Sequence, residues 1–163
     1  MQRTHRRPFA HRGLGHLTGL LVVFGAAGGG ALAVQEKPYP IFTAEHFVPA
    51  MKTVGQAFAA VTASLGRNEF EDSKAYLVIS RDRLATTITF WRDRKKDDAI
   101  RMLRDAVARL DDLDAALSAD KIDPAAVAAS VKQVGAACEA CHATYREQDP
   151  VTKAYKLKTG TIE

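Results

Sequence analysis

From Thr43 onward, apolar side chains recur at alternating intervals of four and three residues, in four separate stretches. The first, about Thr43 to Gly66, carries Phe47, Met51, Val54, Phe58, Val61 and Leu65, the spacing of a helix with one apolar seam. The second opens at Asn68, a good N-cap with Glu71 three residues on, and continues through Phe70, Leu77, Leu84, Ile88 and Trp91. Ser73 and Ser80 interrupt that seam, so this helix is expected to pack less tightly or to touch something polar. The charged run from Arg92 to Asp98 reads as a solvated turn. A third helix is expected over about Asp97 to Ser118, with Ile100, Leu103, Val107, Leu110, Leu113 and Leu117 inward. The fourth starts at Asp123 as N-cap with Pro124 in its first turn and runs to about Gln148, before Asp149-Pro150. No segment alternates with period two for long enough to form a strand. Four helices with narrow seams and short connections bury those seams best as an all-α antiparallel four-helix bundle.

What precedes the bundle has a different character. Residues 1–33 hold Arg3, Arg6, Arg7 and Arg12 but no acidic side chain, then an apolar run from Leu17 ending in Ala31-Leu32-Ala33. This reads as a secretory signal cleaved after Ala33 and places the mature protein in the periplasm, with no stable membrane insertion after cleavage. An uncleaved anchor is the competing reading, because the run just reaches spanning length; its five glycines and small-x-small ending favour cleavage. The pair Arg6-Arg7 before Phe9 partly matches a twin-arginine signal, although paired arginines are common in export leaders. Residues 34–42, with Pro38 and Pro40, read as an extended linker, 43–149 as the bundle and 150–163 as a tail.

The leader also disposes of the charge signal. The chain has a formal charge of +4 and a pI near 9.2, but setting the four leader arginines aside leaves 19 basic against 19 acidic side chains of its 23 and 19. A nucleic-acid partner is therefore not expected. At 163 residues and 47% hydrophobic content the chain suits one packed domain. No nucleophile with a base, paired carboxylates or phosphate loop stands out, so no catalytic residue is expected and a hydrolase or transferase is not indicated.

The chemistry concentrates in the fourth seam, where Val127, Val131, Val134, Cys138, Cys141 and Tyr145 share one face. Cys138 and Cys141 are the only cysteines, both expected to face the core, and His142 follows directly. A redox C-x-x-C normally sits in a βαβ context absent here. A zinc site lacks its other half, since His46 is the only other histidine outside the leader and lies off the seam. A disulfide across two residues of a regular helix would be strained. The remaining reading is C-x-x-C-H as the attachment site of one c-type haem: both thiols add across its vinyl groups as thioethers, and His142 supplies an axial nitrogen to iron. Gly135, Ala136, Ala137 and Ala140 are small enough for a flat macrocycle to lie close. Gly135 in particular costs about 1 kcal/mol mid-helix and asks for a bulky neighbour. If the motif were accidental, the chain would be a helical interaction module without haem.

The stretches "VGAACEACHATYR" and "MKTVGQAF", with the length and helix count, resemble the cytochrome c′ family of periplasmic four-helix-bundle haem proteins over about residues 43–148. The resemblance implies that Met51 falls where family members cover the open haem face, and that Arg146 matches a basic residue beside the proximal histidine. Where many members carry an arginine able to meet a haem propionate, this chain has Phe47, which leaves the propionate partner unassigned. The family includes electron carriers with His and Met axial ligands, which serve a redox partner protein, and five-coordinate cytochromes that bind nitric oxide or carbon monoxide. A Met51 thioether reaching iron gives the first, and a Met51 that only caps the face gives the second. A homodimer is also compatible with the family.

Overall fold

The computed structural model describes residues 40–162. The export leader, its cleavage after Ala33 and the first part of the linker lie outside the described residues. Five helices and two short strands follow one another: α1 (Ala44–Gly66), α2 (Phe70–Thr86), α3 (Ile88–Asp93), α4 (Asp97–Leu117), α5 (Pro124–Tyr145), β1 (Arg146–Gln148) and β2 (Tyr155–Leu157). The four long helices are those the periodicity predicts and form an antiparallel bundle.

Helix α1 begins where Thr43 caps it, its Oγ1 accepting the His46 amide at 3.4 Å. It ends in a Schellman turn, with the Asn68 amide on Leu65 O and the Glu69 amide on Ser64 O, both at 3.0 Å. Asn68 takes φ 60°, the left-handed residue of that turn, so it closes α1 rather than capping α2 as the sequence suggested. Asparagine tolerates this conformation better than most residues. Glu69 precedes α2 without a side-chain cap.

The inward stripe of α2 is Ser73, Leu77, Ser80 and Leu84, all buried. The two serines do touch something polar: Ser73 Oγ donates to Val61 O at 3.5 Å and Glu69 O at 2.9 Å, and Ser80 Oγ donates to Val54 O at 3.3 Å. Their small side chains let α2 lie against the backbone of α1; the second lone pair of the Val54 carbonyl satisfies the Ser80 hydroxyl, while the Ser73 hydroxyl bonds chiefly to Glu69 O four residues back.

The expected long second helix is broken at Thr87. Thr86 Oγ1 and Thr87 Oγ1 bond back to Arg83 O and Leu84 O at 2.7 Å each, which competes with the helical ladder and bends the chain into α3. The bend turns Phe90 and Trp91 inward, where Phe90 stacks on Phe47 at 4.2 Å and Trp91 meets Phe47 and Tyr145 at 5.1 and 4.6 Å. It also presents Thr89 to the end of the linker. Thr89 Oγ1 donates to Ile41 O at 2.8 Å and accepts the Ile41 amide at 3.0 Å, so Ile41 is buried rather than part of a solvated spacer.

Helix α4 buries Ala99, Leu103, Ala106, Leu110, Leu113 and Leu117, leaving Ile100 and Val107 half-buried beside the seam. Helix α5 opens as expected, Asp123 Oδ1 accepting the Ala125 amide at 2.9 Å beside Pro124. It stops at Tyr145 rather than Gln148. Arg146 turns extended and β1 pairs antiparallel with β2, Arg146 opposite Leu157 and Gln148 opposite Tyr155. Asp149 organises the turn, its Oδ1 accepting the amides of Val151 and Thr152. The expectation of no strand therefore fails in the tail, where three-residue strands are too short to show a period.

The packing order leaves one seam open. α1 lies along α2, α2 along α4 and α4 along α5, whereas α1 and α5 scarcely meet; β2 approaches α1 across the interval. Among the described residues no helix is long and apolar enough to cross a membrane.

Candidate functional site

The interval between α1 and α5 is a cavity of about 640 Å³, within the range of small-molecule and cofactor sites. Cys138, Cys141 and His142 border it from α5, Met51 and Phe58 from α1, Met102 and Leu103 from α4, and Trp91 from α3. The helical spacing of the motif explains the first three: positions 138, 141 and 142 lie within one turn of one face, and Val134 and Ala137 extend that face down the cavity wall.

Both cysteines are free thiols, half-buried against the core. Burial pushes the Cys138 thiol up, and pushes Cys141 up to about 11, with a smaller contribution from its neighbour Cys138. Among the described residues no group of three or more His, Cys, Asp or Glu could hold a metal ion by itself. Burial lowers the His142 pKa, with a further push from the Arg146 charge, so its imidazole stays neutral with a lone pair free for a metal.

Tyr145, one turn past Cys141, donates to Asp98 Oδ2 at 2.6 Å and ties the end of α5 to the start of α4. Burial and that hydrogen bond raise the tyrosine pKa, and the same bond holds the Asp98 carboxyl below its usual value.

The remaining expected site residues are placed as follows. Met51 is half-buried and borders the cavity, as does Arg146, whose guanidinium lies 4.2 Å over the Tyr155 ring. Gly135 stands on the helix face of His142, two turns earlier, half-buried but not bordering the cavity; a Cβ there would meet no protein atom within 4 Å. Of the alanines expected beside a macrocycle, Ala137 borders the cavity, while Ala136 and Ala140 are exposed, because a helix turns them to its far side. His46 is exposed at the start of α1, in keeping with a helix-start role. Phe47 is buried in the aromatic cluster.

Sequence reasoning missed Met102 and the hairpin residues Ala154 to Leu157, all of which border the cavity. Met102 carried a legible signal: it lies three residues after Ala99 and four before Ala106, the two alanines α4 buries. Charged residues on the border are Lys52, Arg146 and Lys156, and no Asp or Glu is among them.

This donor set fits a haem. The lining is predominantly apolar, and among the described residues no buried side-chain nitrogen or oxygen lacks a hydrogen-bond partner, so the cavity is not a polar site built to be solvated. Two thiols and an imidazole on one wall match a macrocycle held by its edge and ligated at its centre. A four-helix bundle that turns a C-x-x-C-H face of its last helix into such a cavity is a haem-binding c-type cytochrome. The profile of the cytochrome c′ family matches residues 50–146, well over half of the chain, and the chain belongs to that family. The family implies haem c with its iron. No curated protein and no solved structure matches significantly.

Proposed function

We propose that this protein is an exported, periplasmic electron carrier with one covalent haem, His142 and Met51 serving as the two axial ligands. The observation that supports this reading is that Met51 of α1 and the Cys138, Cys141 and His142 face of α5 border one cavity, where the two helices would otherwise pack against each other. Cys138 and Cys141 would hold the group through thioethers, and the bound iron would supply a one-electron ferric/ferrous couple. His142 offers a neutral imidazole nitrogen. Met51 offers an unbranched thioether from the facing helix, able to reach a metal that Leu or Phe at that position could only cover. The predominantly apolar walls from α4 and α5 lower the local dielectric, which favours the less charged state of a redox centre. A redox protein that docks transiently is the partner this role requires.

Optical spectra of ferric and ferrous protein matured with haem-attachment machinery test the reading. Low-spin bands in both states, colour that survives acid-organic extraction and the added mass of one haem are expected. A high-spin ferric spectrum at neutral pH would transfer the assignment to binding of nitric oxide or carbon monoxide. Loss of all haem on extraction would remove the covalent attachment.

A further inference from the structure

We infer that the end of the bundle holding the cavity is a docking face for an acidic partner protein, with Val48 and Tyr155 as its apolar centre and exposed cations as its rim. This rests on the electron-carrier reading above and names the chemistry of the partner that role requires. The first support is an asymmetry of charge that the near-neutral total conceals. Cutting each long helix at its middle divides the described residues in two. One end, 40–55, 79–107 and 135–162, holds Cys138, Cys141 and His142; the other is 56–78 and 108–134. The first end carries 13 basic against 9 acidic side chains, the second 5 against 8. The bundle is therefore a dipole along its axis, cationic where the site lies. Such a separation orients a protein during diffusional encounter without any net attraction of the whole molecule.

The second support is how the cations are committed. Lys52, Arg92, Lys95, Arg101, Arg104 and Lys153 are exposed at the cavity end, and none has an ion-pair partner among the described residues. Arg81 and Arg109, nearer the middle of the bundle, are instead paired with aspartates. Unpaired cations are available to a partner's carboxylates, each contact contributing little and their number setting the rate of encounter.

The third support is apolar. Val48 of α1 and Tyr155 of β2 border the cavity yet are exposed, and the Arg146 guanidinium lies over the Tyr155 ring. A small apolar centre with a charged rim is the anatomy of a protein–protein contact. A partner seated on these two side chains is beside the redox site. The nine carboxylates among the cations of this end would be repelled by an anionic lipid surface, whereas a protein face with charges of both signs can match them.

The test compares the purified haem-loaded protein with two double variants, K52E with R101E at the cavity end and K121E with K132E at the far end. All four lysines and arginines are exposed, and both pairs change the net charge equally. Calorimetric titration with poly-L-glutamate, the acidic probe, should show saturable binding at low ionic strength by the unmodified protein and the far-end variant, and loss of binding in the cavity-end variant. Binding should weaken steeply as salt shortens the screening length to about 10 Å near 0.1 M. Stopped-flow oxidation of ferrous protein supplies the second readout, each oxidant taking one electron from the iron with no atom transferred. The rate with hexacyanoferrate(III), an anion, should fall with ionic strength, and the rate with tris(phenanthroline)cobalt(III), a cation, should rise. Both slopes should flatten or reverse in the cavity-end variant alone. Equal losses in the two double variants would make net charge the cause and overturn the inference. Retention on phosphatidylglycerol vesicles without polyglutamate binding would also overturn it, giving the face to a membrane surface. Neither result touches the electron-carrier reading. A high-spin ferric spectrum of the unmodified protein would instead defeat that reading, and this inference with it.

Discussion

Two methionines border the cavity, and they answer different questions. Met51 comes from the helix facing the C-x-x-C-H motif, whereas Met102 comes from α4 beside Leu103. Under the proposed ligation, Met51→Ala converts low-spin haem to high-spin, lowers the potential and opens the site to carbon monoxide. Its stability cost falls near the low end of the range for a buried methionine, about 2 kcal/mol, because the side chain is only half-buried. Met102→Leu conserves volume and should leave the spin state unchanged, with a stability change below about 1.5 kcal/mol. Spectra and denaturant titrations of both variants check this; a spin-state change in M102L with none in M51A would reverse the assignment of the second axial sulfur.

At the scale of single elements, the joints between helices carry the testable content. Thr89 makes both backbone hydrogen bonds to Ile41, so Thr89→Val keeps the shape but strands a buried amide and carbonyl. A loss of about 1 to 3 kcal/mol is expected in urea unfolding, with faster exchange of the Ile41 amide. The α4–α5 joint is pH-sensitive through Asp98. Its carboxyl is held below the 3.8 usual for aspartate, chiefly by the hydrogen bond from Tyr145, so the folded state binds its proton less readily than the unfolded chain. The stabilisation is therefore present above that ordinary value and is lost as pH falls through the lowered one. Tyr145→Phe should lower stability at neutral pH and flatten the fall below about pH 4, the variant and the unmodified protein converging in acid, as thermal melts across pH would register. How much of these elements was legible varies with the device. Asp123-Pro124 announced α5 because a cap acts within a few residues. The break at Thr87 was not legible: three threonines near one another are compatible with a helix until tertiary packing draws Phe90 and Trp91 inward.

For the molecule as a whole, the interval between α1 and α5 makes folding and cofactor binding interdependent. A bundle whose first and last long helices scarcely meet lacks one of its helix interfaces unless an occupant supplies the contacts. Protein made without haem attachment should therefore melt at lower temperature and less cooperatively than the haem-loaded form. Retained helical circular dichroism with weakened near-ultraviolet signals would be its mark. Equal melting of the two forms would show that the bundle closes the interval by itself.

By itself the sequence determined the helical content, the cap at Asp123 and the C-x-x-C-H face with its chemistry, because each depends on spacing within one or two turns of a single helix. It also placed Met51, through the resemblance, on the helix that borders the same cavity. Tertiary structure alone decided the rest. Asn68 closes α1 because the chain must reverse there, and Ser73 and Ser80 are buried because α1 supplies carbonyls 12 and 26 residues away. Met102, Lys52 and the hairpin with Lys156 come together at one border because three packed elements converge on it. Contacts between residues distant in the chain leave no local period, so their partners become visible only once the helices are side by side.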